Sequence, residues 1–185
     1  MAKIVINIVG LAGSGKSEVS KFLENNLDFF TYKTSDVLRN YAKEHNIELK
    51  GRQDYFNCHK LLNKNDPLAI IRPILESKHQ RICLDGMRAP APFIELRKQL
   101  NAVLIFLDVP THIRYERISK DLARSGHRVA QSIKHLEEDE AVDYSDDPYL
   151  PNMDRMRDLA DYVIDATKPL DEVIAQVKQI IKSRS

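Results

Sequence analysis

Short, densely apolar runs alternate along this chain with longer stretches in which apolar positions recur at helical spacing. Ile4-Val5-Ile6-Asn7-Ile8-Val9 is apolar on both faces, the pattern of a strand covered on two sides. Glycines follow it, and Lys16 then opens a helix. Phe29 to Lys33 reads as a second strand, after which Ser35 and Asp36 are expected to cap a helix through Val37-Leu38-Arg39-Asn40-Tyr41-Ala42. A helix is expected from Gly51 to about Asn65, and another from Asp66-Pro67 to Leu75, with Pro73 bending it or ending it early. Arg81 to Asp85 forms the third strand, Ala102 to Leu107 the fourth, and Asp161 to Ile164 the weakest, fifth one, before an amphipathic helix from about Leu170 to Ile181.

Strands that alternate with helices, and are continuously apolar, predict an α/β fold: a five-stranded parallel sheet between two helical layers. Right-handed crossovers bring the carboxyl ends of all strands to one edge, and ligands bind beyond that edge. The residues to inspect therefore follow Val9, Lys33, Leu84, Leu107 and Ile164.

At 185 residues the chain fits one domain with a sizeable core. A formal net charge of +1 excludes a global field favouring nucleic acid or an anionic membrane, so anion binding must be local. Cys58 and Cys83 are too few for a metal knot, and Cys83 sits in an apolar run as a small hydrophobe, which fits a reducing cytoplasm. The apolar start, Ile4 to Val9, is far short of the about 20 residues of a membrane span, so no membrane association is expected.

The sharpest chemical signal is Gly10-Leu11-Ala12-Gly13-Ser14-Gly15-Lys16-Ser17, which fits the phosphate-binding loop pattern at every fixed position, between a strand and a helix. Its glycines let backbone N–H groups turn inward around an anion, and the helix beginning near Lys16 presents its positive end to the same place. Lys16 would neutralise the β- and γ-phosphates of ATP, and the Ser17 hydroxyl would ligate Mg²⁺. Asp85 ends a strand beside this loop and is followed by Gly86, so its carboxylate is the second candidate for the metal, while Arg88 reaches the same crevice.

These residues give the chain a close resemblance to the nucleoside monophosphate kinase group of P-loop NTPases, which includes adenylate kinases, dephospho-coenzyme A kinases and adenylate-kinase-like proteins. Thr34-Ser35-Asp36-Val37-Leu38-Arg39 is similar to the family's Thr-Gly-Asp-x-Leu-Arg, and Asp85-Gly86-Met87-Arg88 to its Asp-Gly-x-x-Arg. The resemblance implies that Thr34, Arg39 and Arg88 bind the phosphoryl acceptor and that Asp36 lies near the metal. Ser35 replaces a glycine, and the second segment is one residue shorter and lacks the proline; both departures fall on the acceptor side. Asp165-Ala166-Thr167-Lys168-Pro169 resembles the loop that packs on the donor's adenine, which puts Lys168 beside ATP.

A helical lid over about 111–157 is implied as well, with a core over about 1–110 and 158–185. Arg114, Arg117 and Arg128 align with the family's lid, with Gly126 as a hinge; Arg114 and Arg117 share one face of a helix from about Thr111, on which Arg124 can join them. Arg114 is expected on ATP and Arg117 in catalysis, ahead of Arg157. Glu137 to Asp147 holds seven acids that would repel ATP, so an exposed helix end and loop is expected there.

The implied reaction is in-line transfer of the γ-phosphoryl of Mg-ATP to a small acceptor, with Lys16, Asp36, Asp85 and Arg117 as the catalytic set. A monophosphate acceptor, with a second pKa of about 6, needs no general base. A hydroxyl acceptor of the dephospho-coenzyme A kind benefits from one, and Asp36 and Asp85 are both available. A regulatory P-loop ATPase is the competing reading.

Overall fold

A computed structural model describes residues 3–121 and 130–184. Five strands, β1 (Ile4–Val9), β2 (Phe30–Lys33), β3 (Arg81–Asp85), β4 (Val103–Asp108) and β5 (Tyr162–Asp165), form one sheet in the order β2-β3-β1-β4-β5. Every pairing is parallel. The expected five-stranded parallel α/β architecture is therefore present, with each strand starting within one residue of the expectation.

The three central strands, β1, β3 and β4, alternate their side chains between two apolar layers. Val5, Val9, Leu84, Leu104 and Phe106 face one layer. It also takes in Leu38 of α2 (Thr34–Glu44), Cys58 of α3 (Arg52–Asn65) and Phe93 of α5 (Pro90–Leu100). Ile6, Ile8, Cys83, Val103 and Ile105 face the other, against α1 (Lys16–Leu27) and the helix Leu170–Lys182. This double covering explains why the strands read as continuous apolar runs. A fully buried side chain such as Leu104, with 0% exposure, contributes about 1.5–3 kcal/mol from burial.

Three local expectations are corrected. The N-cap of α2 is Lys33 and makes no side-chain cap; Ser35 and Asp36 lie in the first helical turn, where both turn to Arg39 instead. Pro73 neither bends nor ends a helix: it stands in the first turn of α4 (Arg72–Leu75), where its missing N–H costs nothing, while residues 67–71 form turns. The acidic stretch, expected to be exposed, sends two of its carboxylates inward: Glu140 at 3% and Asp143 at 4% exposure. Glu137, Glu138, Asp146 and Asp147 do stay on the surface.

Between β4 and β5 run α6 (Thr111–Lys120), α7 (Ile133–Glu140), a 3-10 turn (Ala141–Asp143) and α8 (Met153–Asp158). α7 packs on α6 and also on α3, bringing the inward acids to the carboxyl edge of the sheet. Among the described residues no helix is long and apolar enough to cross a membrane. Arg124, Gly126 and Arg128 lie outside the described residues.

Candidate active site

The loop from Gly10 to Ser17 leaves β1 at the carboxyl edge and enters α1 through Gly15, which caps the helix at φ 90°. Gly13 has φ 80°, and a Cβ there would lie 2.6 Å from the Arg114 carbonyl, so glycine is required by conformation and by space. The first N–H groups of α1 have no intrahelical partner and face the loop's interior.

Two further features of the loop await an anion. The Ser14 hydroxyl is buried without a hydrogen-bond partner. Among the described residues the Lys16 ammonium has one hydrogen bond, to the Leu11 carbonyl at 3.5 Å; burial, helped by the nearby Arg88, brings its pKa down from 10.5 to about 8 against the opposing pull of Asp85 and Asp143. A buried cation with no carboxylate hydrogen-bonded to it fits a phosphate.

Asp85 sits in register between Ile8 of β1 and Lys33 of β2, so the P-loop and the start of α2 flank it on either side. Its Oδ2 accepts from the Ser17 hydroxyl at 3.4 Å. One hydroxyl and one carboxylate this close suit a hard cation that completes its shell with phosphate oxygens and water, as Mg²⁺ does. Among the described residues there is no cluster of three or more acidic, His or Cys ligands, so no all-protein cage competes.

Beyond the loop lies a cavity of about 470 Å³. Lys16, Ser17, Thr34, Arg39, Asp85 and Arg88 all line it, so six of the residues singled out from sequence converge. Arg39 is held by Ser35 (3.1 Å), by Tyr55 (3.3 Å) and by Asp36. Asp36 itself does not line the cavity.

Arg88 is fixed through its backbone and its head. The side chain of the buried Asn7 donates to the Met87 carbonyl at 2.9 Å, and the Asn152 amide donates to the Arg88 carbonyl at 3.1 Å. The Arg88 guanidinium donates to Asp143 Oδ2 at 2.5 Å, and Arg52 of α3 donates to the same oxygen at 3.0 Å. Burial works against the charge on Arg88, but Asp143 more than offsets it and holds its pKa above the ordinary value. The pKa of Arg52 is lowered, by burial and by Arg88 beside it.

Arg114 and Arg117 follow a different course. Arg114 is 3% exposed; it donates to the Ala12 carbonyl at 3.2 Å and pairs with Glu140 at 2.7 Å. Arg117 bridges the P-loop and the last loop, donating to the carbonyls of Gly13 at 3.3 Å and Ala166 at 2.8 Å. Neither lines the cavity. Lys168 is exposed in the turn after β5, next to the Ala166–Thr167 backbone that Arg117 grips.

Sequence reasoning missed Arg52, Asp143, Tyr55 and His59, all of which line the cavity. The only signal for three of them was their spacing on α3, where Arg52, Tyr55 and His59 recur at helical intervals on one face.

A family profile described as AAA domain matches residues 6–142. The chain is 29% identical over 139 residues to a cytidylate kinase of Pyrococcus horikoshii, covering 75% of this chain and 66% of that protein. It is 29% identical over 125 residues to an adenylate kinase of Mesoplasma florum, covering 62% of this chain and 57% of that protein. The matches thus span less than two thirds of these relatives' own length. Shikimate kinase from Acinetobacter baumannii has the same fold, with a TM-score of 0.62 and 16% identity over 99% of this chain and 95% of its own. The chain belongs to the AAA domain family and resembles kinases of the nucleoside monophosphate type.

Proposed function

We propose that this chain is an ATP-dependent phosphotransferase that moves the γ-phosphoryl group of ATP to a nucleotide-like small molecule. The observation that carries this reading is the cavity of about 470 Å³ that adjoins the P-loop and is lined by Arg39 and Arg88. A hydrolase needs room only for water, whereas a cationic chamber of this size fits a second anionic substrate.

In this reading the P-loop amides and Lys16 cradle the donor phosphates, whose charge would hold the buried Lys16 ammonium protonated. Ser17 and Asp85 would hold Mg²⁺, which when bound would supply positive charge to the donor phosphates. Arg39 and Arg88 orient the acceptor against the γ-phosphoryl group. Arg117 holds the P-loop to the loop after β5, where the adenine of ATP and Lys168 would meet. The chain acts as one domain, with the described helices between β4 and β5 closing over the cavity and excluding water. Asp85 is placed to take a proton if the acceptor presents a hydroxyl; a monophosphate needs no such help.

Two variants separate donor from acceptor. Arg39→Ala is expected to lose at least about tenfold in acceptor-dependent kcat/KM while ATP binding is unchanged. Lys16→Ala is expected to abolish turnover. Full activity in Lys16→Ala removes the donor assignment, and an Arg39→Ala enzyme with unchanged acceptor kinetics removes the acceptor assignment.

A further inference from the structure

The face of α3 turned to the cavity carries Arg52, Tyr55, Phe56 and His59, spaced i, i+3, i+4 and i+7. At a rise of about 1.5 Å per residue, Arg52 and His59 stand about 10 Å apart along the helix axis. One end of this face carries Arg52 which, with Arg88, converges on the shared carboxylate of Asp143. The middle is aromatic. The far end is His59, 3% exposed, whose buried Nε2 has no hydrogen-bond partner among the described residues. A buried polar nitrogen left unpaired is unfavourable unless a ligand or water meets it, and this one belongs to a residue lining the substrate cavity.

The imidazole is also uncharged at neutral pH, because burial lowers its pKa from 6.5 to about 4 against the weak opposing pull of Asp147. A neutral imidazole has one donor and one acceptor nitrogen, so it suits a partner that offers polar edge atoms without net charge. A phosphate, a sugar and a heterocyclic base in series span the distance from Arg52 to His59, with the base against Tyr55 and Phe56.

We propose that His59 is a specificity-determining residue for the acceptor, its imidazole hydrogen-bonding the polar edge of a nucleobase whose phosphate lies between Arg52 and Arg88. This inference rests on the phosphotransferase reading for its substrate. The helical spacing and the unpartnered nitrogen support it independently.

The test uses the full chain labelled with ¹⁵N at histidine, the His59 ring signal being identified from a His59→Gln sample. AMP, CMP, GMP and UMP are added in turn, with inorganic phosphate and ribose 5-phosphate as probes that lack a base. At least one of the four monophosphates should move the His59 ring signal, and the two base-free probes should not. In turnover, His59→Leu should raise KM for the preferred monophosphate by about tenfold, the factor expected of one lost hydrogen bond, and should flatten the ranking of bases with KM for ATP unchanged. His59→Gln, which keeps a donor and an acceptor, should recover part of the ranking. If none of the four monophosphates moves the ring signal, the inference is overturned whatever the kinase assay gives. An unchanged base ranking in a folded His59→Leu enzyme overturns it as well. A ring signal that responds to a base, with no phosphorylated product formed, leaves the inference standing and defeats the phosphotransferase reading instead.

Discussion

Arg114 and Glu140 meet at 2.7 Å in the interior, each side chain 4% exposed, and the same guanidinium donates to the Ala12 carbonyl of the P-loop. The pair ties the phosphate loop to α7, so the geometry of the loop depends on a carboxylate 26 residues further along than the arginine. Removing one partner leaves a buried charge without its counter-ion, which costs about 3–5 kcal/mol, whereas an apolar pair of similar volume costs much less. Glu140→Leu and Arg114→Met are therefore each expected to lower stability by about 3 kcal/mol, and the double variant that combines them by less than either single change. Urea titrations of the four proteins check this as a double-mutant cycle; additive effects would show that the pair is not coupled.

Asp143 plays the corresponding role at the acceptor end, where it is the shared counter-ion of Arg52 and Arg88. Replacing it by Asn leaves two partly buried arginines facing each other, with Glu140 3.8 Å from Arg52 as the remaining counter-charge. Asp143→Asn is expected to be destabilised by about 3 kcal/mol and to respond to added anion more than the parent does. Thermal scans with and without inorganic phosphate measure the response. A smaller phosphate-induced shift in the variant than in the parent would contradict the shared-counter-ion account.

How much of this was legible beforehand depended on whether the cause was local. β1 and its loop read directly from sequence, because an apolar run ending in fixed glycines before Lys16 has one good physical solution. Gly13 could be named for the same reason: only glycine tolerates its φ of 80° against the Arg114 carbonyl. Glu140 and Asp143 could not be read correctly, because their inward turn depends on Arg114, Arg52 and Arg88, which arrive from elsewhere in the chain. Counting seven acids between Glu137 and Asp147 predicted repulsion; the fold supplies three cations that neutralise two of them. Arg52 and His59 were missed because a lone arginine or histidine on an amphipathic helix carries no signal until the helix is oriented. Arg114 and Arg117 were expected on the transferring phosphates as a basic helical face, but they bind backbone carbonyls of the P-loop.

His59 also sets a pH dependence of stability. Its folded pKa of about 4 lies below the ordinary 6.5, so between these values the unfolded chain binds a proton that the folded chain does not. Stability contributed by the neutral ring is complete above about pH 6.5 and is lost as pH falls toward 4. The loss amounts to a magnitude on the order of 3 kcal/mol. Urea titrations at pH 7 and pH 4.5 of the parent and of His59→Leu isolate it, since other groups titrate in both proteins. The variant should lose less stability between the two pH values than the parent; an equal loss would mean that His59 is not buried as a neutral ring.

The most direct test of the central claim is the rate of ADP release from Mg-ATP with and without an acceptor. The purified chain is supplied with a panel of ribo- and deoxynucleoside monophosphates and dephospho-coenzyme A, and the products are weighed by mass spectrometry. The account expects ADP release to rise by at least about a hundredfold, a barrier change of roughly 2.7 kcal/mol, with one acceptor that gains a phosphoryl group. ADP release that is the same with every acceptor and with none, accompanied only by free phosphate, would contradict it and identify the chain as a P-loop ATPase.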